Sequence, residues 1–512
     1  MGRDVFYITT PIYYPNDVPH IGHAYTSVAA DFIARYHRLR REEVFHLTGV
    51  DEHGLKLQRA AEAVGMSPQD WVDRIDPRWR EVWARLDIAN DDYIRTTEPR
   101  HEKAVQELLS AVYGNGRDDI YLGTYEGLYC VSCEAYYTED ELVDGNCPIH
   151  GRPVERVSEE NYFFRLSAYA DRLLEHYERN PGAVQPEIRR NEVLSLIRGG
   201  LQDFSISRTS FRWGIPLPWD PDHVCYVWFD ALTNYITAAG YAADEERFAR
   251  VWPANIHLIA KDILRFHAVY WPAMLMAGGV EPPTQVWAHG YLLVGGEKMS
   301  KTKLTGIHPF QLIDHFGVDS YRYYFMREIQ FGQDGNFSWE SMVERHNADL
   351  ANGLGNLASR VLAMLGSYFG GAVPEPGAPG VERDLPSIAE RAAAAYEEAM
   401  SAVELTRALA AVWEVVGRAN RYLVEEEPWA IAKDQGRRSE LAGILYTAAE
   451  TLRILALLIS PIMPGAAKRL WSQLGIVEPL EAQRLPEAAR WGRLEPGTRT
   501  TKGDPLFPRL DS

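Results

Sequence analysis

Four side chains that bind metal ions well lie in one short segment of the chain. Cys130 and Cys133 are followed, after thirteen intervening residues, by Cys147 and His150, which gives one Cys-x2-Cys pair and one Cys-x2-His pair. Thiolates and imidazole are the ligands that Zn²⁺ prefers, and four protein ligands leave no open position for a substrate. The spacing therefore predicts one structural zinc ion per chain. The alternative is a set of reduced thiols beside an unrelated histidine.

Two histidines come directly after the first predicted strand and loop. His20 and His23, in the sequence His-Ile-Gly-His, are three residues apart and share one face of a predicted helix's first turn. That turn also presents unpaired backbone N–H groups and the positive end of the helix dipole, which favour anions. Gly22 has no Cβ, so a flat adenine ring could approach the backbone there. Taken alone, the four residues also fit two ordinary helix histidines beside a glycine.

Two lysines lie on a glycine-flanked segment much later in the chain. Lys298 and Lys301 are three residues apart in the sequence Lys-Met-Ser-Lys-Thr, with Ser300 between them. On a mobile loop both ammonium groups could reach a polyphosphate, although a lone motif of this kind also fits a solvated turn. Both motifs together, in this order and at opposite ends of a split parallel sheet, form a highly specific combination.

The elements that must position these residues begin with a strand–helix–strand unit. Residues 5–10 and Glu43–Val50 have the composition of buried strands, and apolar residues from His20 onwards recur at helical spacing. A second helix is predicted over residues 55–64. This order predicts parallel strands joined by right-handed crossovers. The strand pattern resumes later, over residues 223–229, 256–260 and 286–294.

A Tyr-, Gly- and Cys-rich segment interrupts the sheet, and only helical periodicity follows residue 345. Two long amphipathic segments, 390–423 and 439–459, predict a helical bundle, and the Gly- and Pro-rich residues 370–380 predict a surface loop. We therefore predict five parts. They are 1–116 (first half of an α/β domain), 117–205 (connective insertion with the zinc knuckle), 206–295 (second half), 296–348 (lysine loop and the region that follows it) and 349–512 (α-helical domain).

The composition excludes several classes of protein. Of 512 residues, 53 are Lys or Arg and 71 are Asp or Glu, so the net charge is −18, and 46% are apolar. This apolar fraction excludes a wholly disordered chain, and the charge argues against non-specific coating of nucleic acid without excluding a local basic patch. Four cysteines exclude a disulfide scaffold and predict a reduced, cytoplasmic protein. The longest apolar run, 454–463, is too short to span a membrane.

The two motifs match HIGH and KMSKS, the ATP signatures of the class I aminoacyl-tRNA synthetases, which this chain resembles. Thr302 replaces the final serine and keeps its hydroxyl. Within that class the chain resembles the methionyl family over nearly its whole length. The matching blocks are TTPIYY (9–14), GVDEHG (49–54), YVWFDALTNY (226–235), AKDILRFH (260–267) and EEPWAIAK (426–433).

The resemblance implies a fold and a reaction. The fold is α/β, a Rossmann-type doubly wound parallel sheet split by the zinc-knuckle insertion and followed by an all-α anticodon-binding helical bundle. The reaction activates L-methionine with ATP, accompanied by Mg²⁺, to methionyl-adenylate and pyrophosphate, and then transfers the methionyl group to the 3′ end of tRNA(Met). No positioned acid–base pair is evident, so catalysis rests on alignment and on stabilising charge. The implied catalytic residues are His20, His23, Lys298 and Lys301, and the ATP site adds Gly22 and Ser300.

The resemblance also implies a methionine pocket. A methionine side chain is an unbranched apolar tail with a weakly accepting sulfur, so its pocket needs aromatic and aliphatic walls with a donor at the far end. Asp51 is implied to pair with the α-ammonium group. The implied methionine-binding residues are Ile12, Tyr14, Asp51, Trp228, Leu232, Tyr235, Ile263 and His267. Some members of the family have proline where Leu232 stands.

In the helical C-terminal part, the resemblance implies that Asn356, Arg360 and Trp429 contact the CAU anticodon. Unpaired bases are recognised by stacking on aromatic rings and by hydrogen bonds to their edges. Arg418 and Arg421 are candidates for phosphate contacts.

Two other functions fit the same scaffold. An amino-acid ligase could couple the adenylate to a small amine or thiol, but it would not need the helical domain. A non-catalytic tRNA-binding paralogue would have damaged signatures, and both are intact here. The insertion is too small for the editing domain of the valine, isoleucine and leucine enzymes, which argues against those identities. A pocket alone separates near-isosteres by only about 1–3 kcal/mol per methylene, so norleucine or homocysteine should be activated detectably. A monomer is expected.

Overall fold

This computed structural model describes residues 5–16, 18–131, 135–137, 139–149, 151–294, 297–298, 307–378 and 380–511. The largest sheet in these ranges has six strands, all parallel to their neighbours. In chain order they are β1 (Val5–Tyr13), β2 (Glu43–Val50), β3 (Asp92–Arg95), β4 (Val184–Gln185), β5 (Ile256–Ala260) and β6 (Val286–His289). Their spatial order is β3-β2-β1-β5-β6-β4, so the order reverses between β1 and β5. Doubly wound sheets bind ligands at such a reversal, beyond the carboxyl ends of the strands.

The central strands form where the sequence predicts them because they are buried on both faces. The last six residues of β2 and the first four of β5 are buried, as expected for a parallel sheet covered by helices. The predictions for Glu43–Val50 and Ile256–Ala260 are confirmed, and the first strand extends three residues beyond its predicted end, to Tyr13.

Helices cover both faces of the sheet and continue into the C-terminal part. Up to residue 355, the described helices, short π-helical and 3-10 turns included, are Ile21–Leu39, Leu55–Glu62, Pro68–Arg85, Pro99–Tyr113, Glu139–Glu141, Leu166–Tyr169, Ala170–Arg179, Glu187–Arg198, Val227–Ala239, Glu245–Val251, Lys261–Ile263, Phe266–Tyr270, Trp271–Ala277, Pro309–Phe316, Val318–Glu328, Trp339–Arg345 and His346–Gly355.

The insertion contains an antiparallel sheet formed by Ile120–Cys130, Ala135–Tyr137, Glu155–Phe164 and Phe204–Ser205. The insertion also contributes to the main sheet, because β4 pairs with β6 through Val184 and Gln185. Two smaller sheets flank the main one. They consist of Ser207–Arg208, Pro216–Leu217 and Asp220–Cys225, and of Leu292–Val294, Glu297–Lys298 and Gly335–Phe337.

Two predicted strands are wrong in their extent. The segment 223–229 changes from strand to helix, because the strand ends at Cys225 and the N–H groups of Phe229 and Asp230 bond to the carbonyl of Tyr226. The segment 286–294 is divided at Gly290, where a Cβ would lie 2.3 Å from the carbonyl carbon of Gln333. This close approach directs the following residues into a different sheet. Both runs are mainly apolar and aromatic, so the sequence pattern alone does not reveal the breaks.

Helices dominate the C-terminal part, as predicted, and here they are Asn356–Phe369, Leu385–Ser401, Leu405–Glu426, Pro428–Ile431, Gln435–Arg437, Arg438–Ile459, Pro464–Gln473, Leu480–Ala482 and Glu487–Ala489. The segment 390–423 is two helices rather than one, because a turn with Val403 at φ 58° separates them. Residues 435–459 are long and apolar enough to cross a membrane, but 94% of their most apolar stretch is buried inside the protein, as in a core helix.

One buried arginine links the first helix of the α/β part to the C-terminal helical part. The Arg322 guanidinium is fully buried and donates to the Asp31 carboxylate at 2.6 Å and to the Ile462 carbonyl at 2.7 Å. Burial alone would raise the pKa of Asp31, but Arg322 and Arg35 lower it to about 2. Asp31 is therefore ionised and fixes helix Ile21–Leu39 against the C-terminal helices.

Candidate functional site

The first helix begins with a cap made by the two predicted histidines. The Gly22 N–H donates to Nδ1 of His20 at 3.1 Å, and the His20 N–H donates to Nδ1 of His23 at 3.2 Å. An Nδ1 that accepts an N–H must carry a lone pair, so in each neutral ring the proton lies on Nε2. The cap thus fixes both tautomers and makes each Nε2 a donor at the positive end of the helix.

Aromatic rings hold these histidines in place. The rings of His20 and His23 stack with centroids 3.7 Å apart, and the His23 ring lies 5.1 Å from Tyr13 and 5.2 Å from Trp79. Trp79 is fully buried, so its ring is a rigid wall. No motif or spacing in the sequence marks Trp79, which lies on the helix Pro68–Arg85.

The chain that leaves the lysine loop returns to this helix end. The Ile21 N–H donates to the carbonyl of Ile307, the first described residue after the loop, at 3.2 Å. On the other side of the loop, the backbone of Lys298 pairs with that of Leu293 in an antiparallel strand pair. Ser300 and Lys301 lie outside the described residues. Both described ends of the loop are thus anchored, one of them directly at the histidine cap.

The predicted pocket residues gather beyond the carboxyl ends of β1, β2 and β5. His267 lies behind Tyr235. The Tyr235 hydroxyl is 2.8 Å from Nε2 of His267, and Nδ1 of the same ring is 3.0 Å from the Ile263 carbonyl. Because a carbonyl only accepts, Nδ1 carries the proton and the Tyr235 hydroxyl donates to Nε2. Burial lowers the pKa of His267 to about 4, so the ring is neutral.

This pairing determines what the two rings can offer to a ligand. The hydrogens of Tyr235 and His267 are both used within the protein. The two rings therefore offer a polarisable wall and contribute no further polar hydrogen, an environment that suits an apolar or thioether tail.

Further rings support that wall. Trp228 stacks on Phe266 with centroids 3.8 Å apart and planes inclined by 3°. Tyr235 lies against His257 at 4.1 Å, and His257 contacts Thr9 of β1 through Nδ1 at 2.8 Å. Residue-by-residue prediction missed Phe266 and His257, although Phe266 lies within the matching block 260–267.

The remaining predicted residues lie around the same opening. Asp51 is buried directly after β2, with its N–H bonded to the Tyr13 carbonyl at 2.9 Å. Leu232 is buried on helix Val227–Ala239, and Ile12 and Tyr14 are half-buried at the end of β1. The structure thus brings residues from positions 12 to 267 to one edge of the sheet.

The predicted zinc ligands are partly described. Cys130, the last residue of strand Ile120–Cys130, and Cys147 are both buried, and the Cys147 Sγ lies 3.6 Å from the Tyr137 hydroxyl. Cys133 and His150 lie outside the described residues, and within those residues no group of three metal-binding side chains occurs. Two buried thiols of adjacent segments are compatible with a closed, soft donor set.

The predicted anticodon residues form one surface. Asn356 is exposed at the start of helix Asn356–Phe369, and the Arg360 guanidinium lies 5.3 Å from the centroid of the Trp429 ring. Trp429 is 38% exposed, so its ring is partly accessible to solvent. Arg421 is exposed too, whereas the Arg418 guanidinium is engaged by Asp384 and Glu425, which weakens it as a phosphate ligand.

A parallel sheet with a strand reversal, and an anion-binding helix end at that reversal, define a nucleotide-binding α/β enzyme. A family model described as tRNA synthetases class I (M) matches residues 6–157 and 149–362, and one described as the anticodon binding domain of methionyl tRNA ligase matches residues 373–512. This chain belongs to the methionyl family of the class I aminoacyl-tRNA synthetases.

Individual relatives agree over the full length. The methionine–tRNA ligase of Streptomyces coelicolor is 52% identical, with 100% of this chain and 97% of the relative covered. That of Caldanaerobacter subterraneus is 50% identical, with 99% and 79% covered. The solved structure of Mycobacterium tuberculosis methionyl-tRNA synthetase in complex with methionyl-adenylate is similar at a TM-score of 0.94 and 45% identity, with 99% of this chain and 100% of that chain covered.

Proposed function

We propose that this chain joins L-methionine to tRNA(Met) in two steps that consume ATP. A methionine carboxylate oxygen attacks the α-phosphorus, the bond to the bridging oxygen breaks, and pyrophosphate leaves with the electron pair. The 3′-terminal ribose hydroxyl then attacks the carbonyl carbon of methionyl-adenylate, loses its proton, and AMP leaves. Full-length membership of the methionyl family supports this assignment.

His20 and His23 act on the phosphates. The observation that carries this proposal is the cap that fixes both tautomers, because it presents two Nε2–H donors at the positive end of a helix. Negative charge that develops on the phosphoryl oxygens would be stabilised by such preorganised donors. Gly22 lies between the two histidines in the sequence, and because it has no Cβ an adenine ring can approach its backbone.

The lysine loop acts on the leaving group. Lys298 and Lys301 close over the pyrophosphate together with Ser300, and Mg²⁺ arrives with ATP as part of that substrate. The bond between Ile21 and Ile307 supports this role, because it ties the loop's exit to the helix end that binds the phosphates.

Methionine lies in the pocket between β1, β2 and β5. Asp51 receives the α-ammonium group, and the side chain extends along Trp228, Leu232, Tyr235 and His267, with Ile12, Tyr14 and Ile263 at the opening. The neutral, mutually bonded pair of Tyr235 and His267 favours an uncharged tail. Such walls discriminate a thioether from a methylene by only about 1–3 kcal/mol, so norleucine would be a weak substrate.

Asn356, Arg360 and Trp429 read the anticodon, with Trp429 as the stacking platform and Arg360 held against its second face. Cys130, Cys133, Cys147 and His150 would hold one structural zinc ion, which crosslinks the insertion when bound. The proposal also includes the five-part division predicted from the sequence. It places the protein in the cytoplasm as a monomer.

ATP–pyrophosphate exchange, measured with each of the twenty amino acids and without tRNA, tests the proposal. We expect methionine alone to support rapid exchange, and then to charge a transcript with a CAU anticodon. Exchange without charging would favour a ligase acting on a small acceptor. An absence of exchange with every amino acid would favour a non-catalytic tRNA-binding protein.

A further inference from the structure

A fully buried carboxylate lies between two imidazole rings behind the methionine pocket. The Asp230 Oδ2 is 2.7 Å from Nδ1 of His53, and its Oδ1 is 2.8 Å from Nε2 of His101. Burial alone would raise the pKa of Asp230, but His53 lowers it to about 2, so the carboxylate is ionised. Burial alone would lower the pKa of His53, but Asp230 raises it above its ordinary value. The His53–Asp230 contact is therefore a charge-assisted hydrogen bond.

The three residues of this triad (His53, Asp230 and His101) come from three different elements. His53 lies two residues after Asp51 in the loop beyond β2, and Asp230 lies on helix Val227–Ala239. His101 lies on helix Pro99–Tyr113, with Nδ1 3.2 Å from the Thr237 hydroxyl. None of the three has a part in the proposed chemistry.

The His53–Asp230 contact joins the loop beyond β2 to helix Val227–Ala239, and the proposed function assigns these two elements to opposite ends of methionine. The loop carries Asp51, to which the proposed function assigns the α-ammonium group, and the helix carries Trp228, Leu232 and Tyr235, to which it assigns the side chain. An error of about 1 Å in the separation of such groups costs up to about 10²-fold in rate. The buried, charge-assisted hydrogen bond between His53 of the loop and Asp230 of the helix fixes that separation.

We propose that Asp230 is a positioning residue. Through His53 and His101 it sets the separation between the ammonium-binding loop and the helix of the methionine pocket. This inference rests on the proposed function, because it concerns methionine binding. Its consequence is selective. Weakening the triad should raise the KM for methionine about tenfold or more, while the KM for ATP changes less than about twofold.

The two histidines contact Asp230 through different nitrogens, which gives matched variants. Asparagine places its amide near the position of Nδ1, and glutamine places it near the position of Nε2. His53→Asn therefore keeps a donor to Asp230, and His53→Gln loses it. For His101, which bonds through Nε2, glutamine keeps the donor and asparagine loses it.

The experiment measures ATP–pyrophosphate exchange, with separate KM values for methionine and ATP, on the full chain and the four variants. Methionine binding without ATP, followed by calorimetry, and thermal unfolding are measured beside it. We expect His53→Gln and His101→Asn to lose methionine affinity at least about tenfold, and His53→Asn and His101→Gln to stay within about threefold of the parent.

Several outcomes would overturn the inference. If His53→Asn is as impaired as His53→Gln, the Nε2 atom of His53 acts on substrate directly and the positioning role is wrong. If both KM values and the melting temperature change together in all four variants, the triad only stabilises the fold. If the parent chain shows no exchange with methionine, the proposed function fails and this inference fails with it, a result that the variants cannot mimic.

Discussion

Replacing His20 by asparagine and, separately, by glutamine separates the functions of its two ring nitrogens. Nδ1 accepts the Gly22 N–H at 3.1 Å and so caps the helix Ile21–Leu39, whereas our proposal uses the proton on Nε2 for the phosphate. Asparagine carries an oxygen near the Nδ1 position and is itself a favoured cap. Glutamine carries its amide near the Nε2 position. Each variant thus removes one function and keeps the other.

The expected magnitudes follow from these contacts. Removing a donor to developing charge reduces the rate by about 10²–10³-fold, or about 3–4 kcal/mol. Removing a helix cap costs about 1 kcal/mol of the free energy of unfolding. We therefore expect His20→Asn to exchange pyrophosphate about 10²–10³-fold more slowly at unchanged stability. His20→Gln should exchange faster than His20→Asn but be about 1 kcal/mol less stable.

The assay is ATP–pyrophosphate exchange at saturating methionine and ATP, with urea unfolding of the same preparations. His37→Asn, in the last turn of the same helix, is the matched control and should exchange like the parent. Normal exchange by His20→Asn would show that Nε2 does not serve the phosphate. Equal loss of stability in both His20 variants would refute the assignment of the cap to Nδ1.

Three further predictions concern the pocket, the ion pair and the anticodon surface. Tyr235→Phe removes the hydroxyl that donates to Nε2 of His267. Leaving that buried nitrogen without its donor costs about 1–3 kcal/mol and disturbs the wall of the pocket. The KM for methionine in exchange assays should therefore rise about tenfold, while the KM for ATP is unchanged. Burial alone would raise the pKa of Asp31, but the nearby arginines, chiefly Arg322, lower it from 3.8 to about 2. The ionised carboxylate therefore contributes about 2 kcal/mol to the free energy of unfolding. This contribution is fully present above pH 3.8 and is lost as the pH falls towards 2. Urea unfolding from pH 6 to pH 2.5 checks this, and Arg322→Met should abolish that part of the pH dependence. Trp429→Ala should lower kcat/KM for charging by about 10–100-fold through lost stacking, whereas Trp429→Phe should charge almost like the parent. Pyrophosphate exchange should be unchanged in both variants. An equal loss of charging in the two variants would contradict stacking.

The sequence by itself determined the parts whose signals are local. The strands Glu43–Val50 and Ile256–Ala260 are largely buried, so a strand-length run rich in apolar and β-branched residues is enough to predict them. The histidine pair is a property of four consecutive residues, and the spacing of the cysteines is also local. Periodicity also predicted the helices of the C-terminal part, except for the turn at Val403.

Only the tertiary structure decided the contacts between distant residues. Asp230 meets His53 across 177 positions, and Arg322 meets Asp31 across 291, and no local pattern marks either pair. The Tyr235 hydroxyl donates to His267 instead of facing a ligand because the Ile263 carbonyl determines the tautomer of that ring. Side-chain composition specifies what can be buried, but which polar groups meet inside depends on how the elements pack. The sequence therefore supplied the reactive groups, and the fold decided their partners, protonation and separation.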